Sequence, residues 1–261
     1  MMIKLPKKNV NLKQFFIKNG LKEVYNESVK KNLLNKNDKR LSSAPYSPDL
    51  LDLYYIYELV RLNNRTTVLE YGCGWSTLII HFALLNVKSK KKNKIYKRCF
   101  NPYELHSVDN SKKYISIAKK RVRKFSNSHN LVKFNFSKVI MTKFCERYCT
   151  QYENHPLINP DFIYIDGPDQ FEVKKNINNF TVNSKSMMPM LSDVLKYEHF
   201  LTPGTIILFD GRQSNVRFIK ANLQRKWNDI FINSTGQHIF YLNERPLGQH
   251  NKNQIKFYNN K

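Results

Sequence analysis

The chain has 261 residues, with 44 Lys+Arg against 20 Asp+Glu, a formal net charge of +24 and 41% hydrophobic residues. That length buries a full core, and the apolar content lies well above that of disordered chains, so one α/β domain with a modest amino-terminal extension is the simplest division. No apolar run reaches the ~20 residues that cross a bilayer, which excludes a helical membrane span.

The shortage of acids leaves two readings open: compositional drift that aids solubility, and a polyanionic partner such as nucleic acid. Met1–Lys8 carries charge with no apolar segment behind it, so no secretory signal is expected and a cytoplasmic location is the default. Cys73, Cys99, Cys145 and Cys149 form no CxxC pair. On a helix Cys145 and Cys149 would share one face, which fits reduced thiols or a metal or redox pair.

Residues 1–46 are polar and basic, and Phe15, Phe16, Leu21, Val24 and Leu33-Leu34 are placed to form short amphipathic helices against a main domain. Ser47-Pro48-Asp49 reads as a helix start, with Ser47 as the cap, and the helix should reach about Leu62. A strand, Thr67–Tyr71, precedes a glycine turn and a helix over Ser76–Leu85. The block Lys88–Lys94 reads as a solvated loop. A strand over Tyr103–Val108, a basic helix over Ser111–Phe125 and a strand near Leu131–Phe136 follow, and Val139–Thr142 continues that strand or turns. Phe162–Ile165 is a buried strand, and a helix over Met188–Phe200 should stop at Thr202-Pro203-Gly204. Then come a strand over Thr205–Phe209, a helix over Asn215–Trp227, and strands over Ile230–Asn233 and His238–Leu242. The domain is expected to span 47–244, with 245–261 a polar, basic, peripheral tail. Alternating strands and helices imply a doubly wound, mostly parallel sheet.

The richest stretch is Val68-Leu69-Glu70-Tyr71-Gly72-Cys73-Gly74-Trp75-Ser76-Thr77. A strand ends in an acid, glycines give a sharp turn, and a helix opens with unpaired N–H groups, which together make a nucleotide-type pocket. Ligands in such sheets bind beyond the carboxyl ends of the strands, and acids fall at four of those ends: Glu70, Asp109, Asp166 and Asp210.

On these residues the chain resembles the class I S-adenosylmethionine-dependent methyltransferases over about Thr66–Leu242, which implies a seven-stranded Rossmann-like sheet. Within the resemblance, Glu70, Gly72, Gly74, Ser76, Thr77 and Asp109 are cofactor-binding, Asp109 taking the ribose hydroxyls and Glu70 the amino end. The Lys-rich stretch between Asn86 and Asn101 widens the gap from Gly72 to Asp109 beyond the ~20 residues of the dinucleotide pattern. An NAD-dependent dehydrogenase is the nearest rival, but its fingerprint wants Gly or Ala where Thr77 stands.

Neither an Asn/Asp-Pro-Pro-aromatic motif nor a Pro-Cys nucleophile follows the fourth strand, where Asp166-Gly167-Pro168-Asp169 stands. The pair Asp166 and Asp210 is similar to that of the divalent-metal O-methyltransferases, including sugar-directed ones. That likeness implies methyl transfer to an oxygen of a small molecule or sugar, with Asp166, Asp210 and Asp169 holding Mg²⁺. The other reading has the acids binding backbone or substrate directly. His199, Tyr164 and Arg212 are candidates for base or substrate clamp; His199 otherwise reads as a surface residue, and Arg212 as a salt-bridge partner of Asp166 or Asp210. Aminopropyl transfer, an RNA methyltransferase and a non-catalytic polyanion-binding module are the alternatives.

Overall fold

The computed structural model describes residues 3–31, 46–91, 95–96, 98–184 and 186–260. Leu33-Leu34 and the end of the Lys88–Lys94 block lie outside them. In chain order come α1 (Leu12–Lys18), α2 (Lys22–Lys31), α3 (Leu50–Leu62), β1 (Thr67–Tyr71) and α4 (Trp75–Lys91). Next are β2 (Glu104–Asp109), α5 (Lys112–Phe125), β3 (Val132–Phe136), β4 (Val139–Phe144), β5 (Arg147–Tyr152), β6 (Phe162–Ile165) and β7 (Val173–Lys174). The chain ends with α6 (Asp193–Lys196), β8 (Ile206–Phe209), α7 (Gln213–Lys220), β9 (Trp227–Ile232), β10 (Gln237–Leu242) and α8 (Gly248–Asn259).

Seven strands form one sheet in the order β3-β2-β1-β6-β8-β10-β9. All pairings are parallel except those of β10, which runs antiparallel to both β8 and β9. Strand period two divides the interior. Val68, Phe162, Tyr164, Ile206 and Leu208 face a cluster under α3 and α4, while Leu69, Ile163, Ile165, Ile207 and Phe209 face a second cluster on the opposite side. The chain order reverses at the β1/β6 boundary, and ligands of open α/β sheets bind beyond the carboxyl ends at such a point.

Several local expectations are corrected. Asp49, not Ser47, caps α3: its carboxylate accepts from the Leu51 N–H at 2.9 Å and the Asp52 N–H at 3.2 Å. Residues 53–60 of α3 are all buried because α1 and α2 cover its outer side, with the Phe15 ring edge-on to Tyr54 and Tyr57 at 4.8 and 5.2 Å. Helix α4 continues through Lys88 to Lys91, since Lys is a good helix former and suits the negative end of the dipole.

The predicted helix over Met188–Phe200 shrinks to α6 and a 3₁₀ turn at Glu198–Phe200, as Pro189 interrupts its start. The helix predicted over Asn215–Trp227 ends at Lys220, and Trp227 opens β9. Val139–Phe144 and Arg147–Tyr152 form a hairpin of their own with β7, so Cys145 sits in its turn and Cys149 on β5, not on one helix face. Cys149 is buried and Cys145 exposed.

The tail is not peripheral. Helix α8 packs across the amino ends of the strands. There the Asn64 side chain donates to the carbonyls of Phe257, Tyr258 and Asn260, and the buried Arg65 donates to the Gly204 carbonyl at 2.7 Å. The Arg65 guanidinium lies 4.2 Å from the Tyr258 ring centroid, so that ring supplies the charge with a partner where little water reaches. Tyr258→Ala is therefore expected to cost about 3 kcal/mol, read as a fall in the urea midpoint at unchanged m-value. A loss below ~0.5 kcal/mol would show that α8 is an ornament.

Candidate functional site

At the β1 carboxyl end Gly72 takes φ +90°, a conformation L side chains rarely adopt. The Gly72 backbone packs against the loop after β6: a Cβ placed there would lie 2.6 Å from the Gly167 nitrogen and 2.9 Å from its Cα. The contact is reciprocal, as a Cβ on Gly167 would meet the Tyr152 hydroxyl at 2.7 Å and the Gly72 nitrogen at 2.8 Å. The Asp166 and Gly167 N–H groups both donate to the Tyr71 carbonyl, and the Gly167–Pro168 peptide is cis. Gly74 differs. A Cβ there would approach only the Ser76 hydroxyl, at 3.9 Å, so that side of the turn is open.

Glu70 lies beneath the turn, fully buried, where its carboxylate accepts from the hydroxyls of Ser76 (2.6 Å), Thr77 (2.7 Å) and Ser107 (2.6 Å). Burial outweighs these donors and lifts the Glu70 carboxyl to about 7. Thr77 also accepts from the Gly74 N–H at 3.1 Å. Glu70 and Thr77 thus hold the turn from within, and the Ser76 hydroxyl is the side-chain oxygen nearest its open side.

Asp109 is brought across the turn by β2. It accepts from the Cys73 N–H at 2.7 Å and, through its other oxygen, from the Ser111 N–H at 2.6 Å. Burial raises its pKa despite those donors, and burial with the nearby Asp109 charge pushes the Cys73 thiol far up, so Cys73 is no thiolate nucleophile. Trp75, at the start of α4, is covered by the Arg121 guanidinium 3.5 Å from its ring centroid.

The loops after β6 and β8 bring Asp166 and Asp210 close enough for each carboxyl to act on the other. Burial and Asp166 raise the Asp210 carboxyl to about 7; burial also raises Asp166, opposed by Arg212. The Arg212 Nε stands 3.7 Å from Asp166 and its Nη1 donates to the Pro168 carbonyl at 3.2 Å. Asp52, in the first turn of α3, sits close enough to feel Asp210 and is raised to about 7, chiefly by burial. In the sequence Asp52 reads only as an interruption of an apolar run.

Three expected roles are not met. Asp169 turns away from the pair: its carboxylate accepts from the Phe171 N–H at 2.8 Å and its backbone pairs with the Asn110 amide. Among the described residues no three His, Cys, Asp or Glu side chains come together as a metal site, and Gly211 has no donor to offer. The trio Asp166, Asp210 and Asp169 therefore does not fit Mg²⁺. His199 is exposed in the 3₁₀ turn before β8, at the amino end of the parallel strands, because the short α6 leaves it below the sheet instead of carrying it to the loops. Tyr164 is 2% exposed and points into the cluster under α3, so it lies beneath the site and clamps nothing in it.

A cavity of about 250 Å³, without a signature in the sequence, opens beside Arg212 and is lined also by Met188, Pro189, Gly211, Ser214 and Asn215. Asn215 is 1% exposed, and among the described residues neither of its amide atoms, both inaccessible to water, has a partner. An Asn two residues inside a helix carries no such signal in sequence.

No family model and no curated protein matches the chain. Among solved structures, it is similar to an O-methyltransferase from Bacillus cereus in complex with SAH, at 15% identity and TM-score 0.45, over 89% of this chain and 97% of that one. It is also similar to the SAH-bound methyltransferase PaMTH1 of Podospora anserina, at 11% identity and TM-score 0.47, over 94% and 100% of the two chains. A further likeness is to the O-methyltransferase TomG of Streptomyces achromogenes in complex with SAM, at 11% identity and TM-score 0.43, over 84% and 96%.

Proposed function

We propose that the chain is an S-adenosylmethionine-dependent methyltransferase that acts on an oxygen of a small hydroxylated molecule or sugar. The observation that carries this is the placement of Asp109 across the Gly72–Gly74 turn at the β1/β6 switch point, with a carboxylate oriented by two backbone N–H groups. The open side of Gly74 leaves room for a ligand against bare backbone, and Asp109 has lone pairs left for ribose hydroxyls. Glu70 and Thr77 support that cradle from beneath, and the Ser76 hydroxyl lies beside its open side. The antiparallel β10 between β8 and β9 departs from the all-parallel six-strand order of dinucleotide enzymes and speaks against NAD.

When bound, S-adenosylmethionine supplies a methyl group activated on a sulfonium. The chain's own part is to deprotonate and position the acceptor. The Asp166–Asp210 pair would take the proton that the acceptor hydroxyl gives up and hold its oxygen in place. A carboxyl near 7 is matched to that task at neutral pH. Calorimetry tests the cofactor half. The purified protein is expected to bind S-adenosylmethionine, and Asp109→Ala to weaken that binding by about tenfold or more, the worth of a lost charge-assisted hydrogen-bond pair. Equal affinity in wild type and variant would overturn the pocket assignment. Activity unchanged by chelator is the expectation from the two-carboxylate donor set.

A further inference from the structure

The amino end of the parallel strands, opposite the candidate site, is formed by four segments: 95–103 before β2, 154–160 before β6, 199–205 before β8, and 245–260 with α8. Each carries a large apolar side chain out into solvent. Phe100 is 85% and Phe200 78% exposed, Leu157 is fully exposed, and Leu247 is more than half exposed. Phe100, Leu157 and Phe200 are the most exposed large apolar side chains among the described residues. All four stand around one cavity of about 300 Å³. Phe100 and Leu247 line it directly, and so do Asn159 and Thr202, close neighbours in the chain of Leu157 and Phe200. Single exposed apolar residues are ordinary, but a group gathered at one end of a molecule marks a contact surface.

The independent observation is charge. The four segments contain no Asp or Glu. Arg98, Arg245, Lys252 and Lys256 are exposed there, and among the described residues none of them is held in an ion pair. Lys252 and Lys256 lie on the side of α8 away from the buried Asn251 and Tyr258, so they point outward. The acids that flank this end are turned to other partners: Asp161 accepts from the Thr66 N–H, Glu198 from the Arg225 N–H, and Glu244 pairs with the Arg225 guanidinium.

A surface that is both apolar and cationic calls for a partner that is both apolar and anionic. A second copy of the chain would set like charge against like. A nucleic acid would engage the cations but leave the aliphatic Leu157 and Leu247 in water. A protein interface centres on a contiguous, desolvated core, whereas these side chains stand on separate loops around a cavity lined mostly by polar residues. Separate apolar tips among cations match the headgroup layer of an anionic bilayer, where the tips reach acyl chains and the cations meet negative lipid.

We propose that this end docks the protein on an anionic lipid surface, with Phe100, Leu157, Phe200 and Leu247 inserted and Arg98, Arg245, Lys252 and Lys256 against the headgroups. The candidate site, at the carboxyl ends of the strands, then faces the water. This placement does not depend on the methyltransferase reading.

The test is co-sedimentation of the full chain with vesicles of phosphatidylcholine alone and of phosphatidylcholine with about one-quarter phosphatidylserine. The expected result is binding about tenfold or more stronger to the anionic vesicles, lost progressively as salt is added. Phe200→Ser and Leu157→Ser, both at exposed positions, should each weaken that binding by about tenfold or more with circular dichroism unchanged. Lys252→Gln combined with Lys256→Gln should do the same through charge. Phe231→Ser, at an exposed aromatic on β9 outside this end, should bind as wild type. No binding to anionic vesicles, equal binding to both kinds, or binding indifferent to the apolar substitutions would overturn the proposal. Tighter binding of single-stranded RNA, weakened by Phe200→Ser and by the lysine substitutions alike, would also overturn it and make this end a nucleic-acid surface.

Discussion

Gly72→Ala is expected to destabilise the protein by about 2–4 kcal/mol, whereas Gly74→Ala leaves stability within about 1 kcal/mol yet weakens S-adenosylmethionine binding by about tenfold or more. The two glycines flank one residue and look alike in sequence, but their surroundings differ. Gly72 combines φ +90° with a Cβ position only 2.6 Å from the Gly167 nitrogen, so an added methyl meets both backbone strain and a backbone clash. Neither neighbour has a flexible end that could move aside. At Gly74 the same methyl enters open space, the space that the proposed function gives to the cofactor. Denaturant titration separates the first effect, and calorimetry on the folded variants the second. Gly167→Ala should cost less than Gly72→Ala because it meets the clash without positive-φ strain, and the double variant should cost less than the sum because both methyls press on one shared contact. A stable Gly72→Ala would mean that the two loops do not pack as described, and a Gly74→Ala that binds cofactor normally would move the pocket elsewhere.

This pair also marks how far the sequence was legible. The strand-turn-helix around Gly72 announces itself, because an apolar run, two glycines and hydroxyls at a helix start each constrain the backbone locally. That the partner of Gly72 is Gly167 could not be read, since they are distant in sequence and meet only once β1 and β6 pair. Glu70 was legible as an acid at a strand end, but its role is set by Ser107 on the neighbouring strand, which turns an expected ligand contact into a buried brace.

Asp169 shows the same limit. Its position after β6 suits a metal ligand, yet the local turn supplies the Phe171 N–H first, and a short side chain beside a turn takes the nearest donor. The basic residues follow the opposite pattern. Lys112, Lys113, Lys119, Lys120, Arg123 and Lys124 fall on the exposed side of α5 by helical period alone, as their spacing foretells. The hairpin of β4 and β5 was missed because its turn residues, Cys145 and Glu146, both take positive φ without a glycine or asparagine to signal it.

Replacing Asp210 with Asn is expected to remove methyl transfer and raise stability in the same protein. A general base contributes about 10²–10⁴ in rate, so Asp210→Asn should lower kcat/KM for the acceptor by that factor while leaving S-adenosylmethionine affinity near wild type. The wild-type rate should climb as pH rises through about 7, where the raised carboxyl loses its proton, and that limb should be missing from the variant.

The stability effect has the opposite pH sense. A carboxyl whose folded pKa exceeds its unfolded value of 3.8 binds a proton in the native state that the unfolded chain has released. Its stabilising contribution is complete below about 4 and is lost as pH rises toward 7, so wild-type stability should decline across that window. The amide introduced by Asp210→Asn cannot ionise and can still donate to Asp166, so the variant's decline should be shallower, with a gain of about 1–2 kcal/mol at pH 8 after allowance for solvent screening. Glu70 and Asp52, also raised to about 7, keep part of the slope in both proteins. Urea midpoints at pH 4 and pH 8 decide the matter. A variant that loses activity and stability alike at pH 8 would show Asp210 to be a scaffold residue, whereas loss of one with gain of the other marks a charge held at a functional site against the preference of the fold.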